Sequence, residues 1–128
     1  MNKYTSYDLI EWGQPYQKRQ NCLPDPSGVQ VLIQVTAAGL CHSDLHLQKG
    51  YMDLGEEGRL TFAERGAKLP MTCGHEIAGL VQKVGPEVKV VELGQQVLVF
   101  PWVGCGICEA CREDRESDCS AMRIIGLK

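Results

Sequence analysis

The chain has 128 residues, 13 basic against 16 acidic, and a formal net charge of −3. That size is one domain, and its fourteen glycines and six prolines imply many turns. With no Lys/Arg-rich run and no apolar stretch near the roughly 18–20 residues that span a bilayer, nucleic acid and membrane are excluded as partners. "MNKYTSYDLIEW" is too polar for a leader, so the expected location is cytoplasmic.

In chain order, "LPDPSG" (23–28) reads as a turn, and "VQVLIQVTAAGL" after it alternates. Val29, Val31, Ile33 and Val35 fall on one face, which predicts a half-buried strand. "SDLHLQK" predicts about two helical turns capped by Ser43. "GYMDLGEEGRLTFAERGAKLP" is a surface excursion in which Thr61 and Glu64 stand at capping-box spacing ahead of Gly66, predicting a short helix. "IAGLVQKVG" and "QQVLVF" predict two further strands, with "VGPE" and "LGQQ" as turns. "EACRED" predicts one helical turn. The fold class is mainly β with short helices and long loops, in one domain covering 1–128.

Residues 104–120 form a distinct lobe. Cys105, Cys108, Cys111 and Cys119 follow C-x2-C-x2-C-x7-C within fifteen residues. An odd total of seven cysteines suits a disulfide framework badly. An iron–sulfur run beginning C-x2-C-x2-C ends x3-C-P, whereas here the last gap is seven and Ser120 follows. Glu109, Glu113, Asp114, Glu116 and Asp118 outnumber Arg112 and Arg115, which argues against a nucleic-acid-binding ribbon. The spacing suits a closed tetrahedral zinc site that staples a loop too polar to hold itself.

A second constellation holds all three histidines: "GLCHSDLH" (39–46) and "CGHE" (73–76). Cys41 and His75 offer one soft and one borderline ligand, a weak signal alone. The frame around them is specific. "PMTCGHEIAGLVQKVG", "AAGLCHSDLH" and the four-cysteine lobe, in this order, resemble the zinc-containing medium-chain alcohol dehydrogenases from about Val29 to Cys119. "WGQPYQ" and the turn at 23–28 fit more loosely.

The resemblance implies a GroES-like, partly open β-barrel carrying the zinc lobe, followed in the family by a Rossmann domain for NAD or NADP. It implies a catalytic Zn2+ on Cys41 and His75, with Glu76 beside the metal. Ser43 matches the hydroxyl that relays the substrate proton, and His46 the histidine that passes it to solvent. His42 matches a cofactor pyrophosphate contact, and Asp44 the carboxylate that orients the zinc-binding histidine. Trp102 is expected to line the substrate cleft and the excursion from Gly50 to Leu69 to rim it. The substrate would be a small alcohol, with an aldehyde or ketone as product.

This assignment makes chemical sense: an open zinc position acidifies a hydroxyl, a serine and an imidazole carry the proton off, and hydride goes to the nicotinamide. The alternative is a non-catalytic, zinc-stapled GroES-like interaction module.

Four departures matter. No G-x-G-x-x-G follows a strand, so no Rossmann domain is expected in this chain, and its dehydrogenase activity alone is expected to be nil. The sequence ends at "IIGLK", ahead of the family's third catalytic ligand, so an incomplete catalytic domain with open strand edges and self-association is expected. Cys73 stands two residues before His75, where a core role is favoured over a substitute ligand. Gln95 replaces the usual Asp of a turn, a matter of turn stability. Cys22 has no assigned role.

Overall fold

The computed structural model describes residues 1–126. Ten strands and two short α-helices make up the described chain, so the mainly β reading holds. β1 (Asn2–Leu9) pairs antiparallel with β2 (Gln17–Leu23) and, at its end, with β6 (Met71–Thr72). β3 (Val31–Gly39) pairs with β7 (Glu76–Val84), which pairs with β8 (Gln96–Val99). β4 (Tyr51–Asp53) and β5 (Arg59–Thr61) form a hairpin, and β9 (Trp102–Val103) pairs with β10 (Arg123–Ile124). The strands fall into four separately bonded sheets, and no closed barrel forms among the described residues.

The core is small. Leu9 of β1, Met71 of β6 and Leu47 of α1 (His42–Lys49) meet at its centre, with Trp12, Tyr16, Phe62, Leu69 and Cys73 packed around them. Burying an aliphatic side chain of this kind is worth about 1.5–3 kcal/mol. This cluster therefore fixes one flank of α1 against the loop that carries His75. Between β1 and the β3–β7 sheet lies a cavity of about 460 Å³, lined among others by Tyr7, Tyr16, Val35 and Ile77.

Three local expectations need correction. α1 begins at His42 with Cys41 as its N-cap, so Ser43 is a helical residue and not the cap. The Asp44 carboxylate accepts from the Cys41 N–H at 3.0 Å, which sets the start of the helix earlier than Ser43 would. The predicted helix at Thr61–Gly66 is instead a set of turns, with Arg65 N donating to Phe62 O and Gly66 N to Ala63 O. Thr61 is held in β5 opposite Tyr51 and is not free to cap.

The third correction concerns β3. Val29 lies outside it and is 72% exposed, because Gln30 is committed to a turn: its N–H donates to Ser27 O and its side chain accepts from Ser27. Register shifts at Leu32/Ile33 and Val35/Ala37 break the alternation, and Val35 is left exposed. β1 and β2 answer no strand pattern in the sequence; they are polar ribbons whose cross-strand side chains pair, as in Asn21 Nδ2 donating to Ser6 Oγ at 2.7 Å. The Gln95 side chain behaves as a turn brace, its Oε1 accepting from the Glu92 N–H. No helix among the described residues is long and apolar enough to cross a membrane.

Candidate metal centres and cleft

The lobe hangs between β9 and β10. Cys108 is the N-cap of α2 (Glu109–Arg112), Cys111 lies within that turn, and a 3-10 turn at Glu116–Asp118 delivers the buried Cys119. The four sulfurs all lie within 4.8 Å of one another, and all seven cysteines are free thiols. Backbone N–H groups already point at sulfur: Cys105 N donates to Cys119 Sγ and Cys108 N to Cys105 Sγ, each at 3.4 Å. Hydrogen bonds from the Ile107 and Cys108 backbone draw the Cys105 thiol down to about 6. The Gly106 N–H also draws on Cys111, but desolvation and the sulfurs of Cys108, Cys119 and Cys105 outweigh it and push that thiol up to about 12. Four thiolates so close together need a cation among them. Four convergent sulfur donors with no open side fit a structural zinc ion.

The second cluster is built differently. Cys41 closes the segment after β3, and His75 and Glu76 stand where β7 begins. Cys41 Sγ and His75 Nε2 are 4.0 Å apart, inside the roughly 4.3 Å reached by adding typical zinc–sulfur and zinc–imidazole bond lengths. A Glu76 carboxylate oxygen joins them within 4.8 Å. One sulfur, one imidazole and one carboxylate fit a three-ligand site with a position left open, in contrast to the lobe.

A cleft of about 200 Å³ opens against this cluster, lined by His75, Ser43, His46, Met52, Phe62 and Trp102. α1 presents Ser43 and His46 three residues apart on one face, as helical spacing requires. Met52 of the excursion hairpin and Phe62 just beyond it reach the cleft, so this part of the Gly50–Leu69 excursion rims it. Trp102 is 37% exposed and tilts against Phe100 at 5.4 Å between ring centroids. It also lines, with His75 and Glu76, a second opening. His42 is exposed on α1, its ring 4.6 Å from that of His46.

Asp44 is buried at 3% exposure, and its carboxylate bonds to the Cys41 N–H and makes no hydrogen bond to His75. The expectation that it orients His75 gains no hydrogen bond; the carboxylate steadies Cys41 and the helix start instead. Cys73 points away from the cluster into the core beside Tyr16, because Gly74, at φ 89°, breaks the extended chain between Cys73 and His75. Burial pushes the Cys73 thiol up, with further push from Asp44 and Asp8.

Tyr16 is a residue that no motif signalled. Its hydroxyl donates to Asp44 O at 2.9 Å, and burial followed by the contact with Cys73 raises its pKa well above the usual tyrosine range. It thus bridges the two segments that carry Cys41 and His75. "QPYQ" holds no periodicity or spacing that could have revealed this.

Residues 27–127 match the alcohol dehydrogenase GroES-like domain family. The chain belongs to that family. An NAD-dependent alcohol dehydrogenase of Saccharolobus solfataricus is 44% identical over 120 residues, which cover 93% of this chain and 33% of that protein. Among solved structures, the alcohol dehydrogenase of Aeropyrum pernix superposes with a TM-score of 0.80 at 30% identity, covering 97% of this chain and 34% of that one. The D-arabinose dehydrogenase of Sulfolobus solfataricus gives 0.76 at 31% identity, covering 99% and 34%. The chain therefore spans about a third of the length of these relatives. The GroES-like domain carries both cysteine–histidine motifs and the lobe within the matched residues.

Proposed function

We propose that this GroES-like domain is the zinc-carrying catalytic part of an alcohol dehydrogenase that oxidises a small alcohol to an aldehyde or ketone with NAD or NADP. The observation that carries the reading is the convergence of Cys41, His75 and Glu76 on one another, with His75 lining a cleft that also receives Ser43, His46 and Trp102. A zinc ion on Cys41, His75 and Glu76 would acidify a substrate hydroxyl. Ser43 takes up that proton and His46, one helical turn further on, passes it to solvent. Phe62, Met52 and Trp102 supply apolar walls that hold the carbon chain and exclude water. His42, exposed at the start of α1, is free to meet a cofactor phosphate. The lobe cysteines hold a second, structural zinc ion.

The 128-residue chain by itself carries no dinucleotide fingerprint, so it is proposed to bind metal without turning over alcohol; NAD-dependent oxidation by the pure chain would overturn that part. Self-association and a cytoplasmic location belong to the same reading. The outer edge of β8 has no partner among the described residues, and Leu98 on that strand is 85% exposed, which supports pairing between copies. A monomer at high concentration in sedimentation would count against it.

The test is zinc content, with each ion located by anomalous scattering on either side of the zinc edge. Two ions, one in the lobe and one at Cys41/His75, are expected. A single ion in the lobe would leave the stapled, non-catalytic module as the better reading. An empty lobe would overturn both.

A further inference from the structure

We infer that Gly39 is a positioning residue for the Cys41–His75–Glu76 cluster: the space left by its missing side chain is the route by which the Glu76 carboxylate reaches the other two ligands. The inference rests on the metal-site reading above. Gly39, the last residue of β3, is the register partner of Glu76, the first residue of β7. Directly opposed residues in an antiparallel pair carry their side chains on the same face.

A Cβ placed on Gly39 would land on Glu76 Oε2 and lie 3.0 Å from its Cβ and 3.4 Å from its Cδ. Glu76, though exposed, is thus folded back across the bare Cα of Gly39. That fold-back aims its carboxylate at Cys41, two residues along from Gly39, and at His75, its own neighbour. Gly39 is not among the glycines with positive φ, so the backbone does not demand glycine here; the ligand's path does. The same device recurs in the lobe, where a Cβ on Gly104 would land on Cys111 Sγ. Alanine at this position would turn the exposed Glu76 outward and leave a two-ligand site.

The experiment titrates the 128-residue chain with Co2+ and follows the second equivalent by its thiolate charge-transfer absorption, after the lobe has filled. Gly39→Ala is expected to weaken the second equivalent by about 10–100-fold while leaving the first unchanged. Glu76→Gly should weaken it to a similar degree. Because Gly39 acts through Glu76, the double variant G39A/E76G should bind no more weakly than E76G alone. If G39A leaves the second equivalent unchanged, or if the double variant is much weaker than E76G, the inference is overturned. If G39A alone does not fold, the double variant, in which the added methyl group meets no Glu76 side chain, must fold, and its failure would likewise overturn the inference. Cys41→Ser serves as the separate control. If the unmodified chain takes no second equivalent, or Cys41→Ser leaves one in place, the metal-site reading falls and the inference with it. If Cys41→Ser abolishes the second equivalent while G39A does nothing, only the inference falls.

Discussion

The two candidate metal clusters of this small domain each gather cysteine sulfur, and they differ in almost everything else. The lobe takes all four of its sulfurs from fifteen consecutive residues, and two of the four already receive backbone N–H bonds. The cleft cluster takes its donors from two segments 34 residues apart, joined through β3–β7 pairing and the core behind α1. The first offers four protein sulfurs and leaves no position for another ligand, although Cys105 is exposed, and in the second His75 lines a cleft. A local, closed cluster makes its own structure when it binds metal; a distributed, open one borrows its structure from the sheet and keeps a coordination position free.

That contrast can be broken at several points. The largest effect should come from stripping metal with a chelator. The lobe has little apolar burial beyond Cys119, so on the order of 10 kcal/mol of metal-linked folding energy is at stake there. Trypsin should then cut after Arg112 and Arg115 while the β3–β7 sheet stays protected. Equal protection with and without metal would show that the lobe does not depend on its ion.

Next come paired cysteine substitutions. Cys119→Ser should release the lobe ion and open the lobe to protease. Cys41→Ser should remove only the cleft ion and change stability by under about 1 kcal/mol, because serine is itself a favoured N-cap at that position. Similar losses of stability from both would erase the distinction between staple and site.

A smaller, graded effect concerns protons. At neutral pH Cys105, near 6, has already lost its proton, while Cys111, near 12, still holds one. Metal must displace at least the Cys111 proton, so lobe affinity should rise with pH, by about tenfold or more per unit around pH 7, and fall on acidification. A competition assay against a chelator of known pH dependence measures this, and a flat profile would contradict it.

The smallest effect is at Asp44. Removing its carboxylate from the Cys41 N–H in Asp44→Ala should cost about 1 kcal/mol in a denaturant titration of the metal-free chain. Asp44→Asn, which can still accept that bond, should cost much less. Equal losses would mean that the charge matters more than the cap.

Much of the cleft site was legible because its chemistry is written in short motifs. Cys41, Ser43 and His46 share one helix start, and His75 and Glu76 share one strand start, so each group travels as a rigid unit. The misreadings came where a side chain had two possible partners. Ser43 and Thr61 both look like helix caps, yet Asp44 moves one start back to Cys41 and β5 pairing removes the other. Cys73 shares strand parity with His75, but the positive φ of Gly74 turns it into the core.

By itself the sequence determined the donor sets: which sulfurs, imidazole and carboxylate are available, and that the four lobe cysteines are close enough along the chain to meet. Distance along a backbone is a strong constraint when it is fifteen residues and a weak one when it is thirty-four. Only the tertiary structure decided that Cys41 and His75 stand 4.0 Å apart, that Tyr16 ties their segments together, and that a bare Cα at Gly39 lets Glu76 reach them. Those relations depend on strand register and on the shape of a packed interior, and neither is carried by any single segment of the chain.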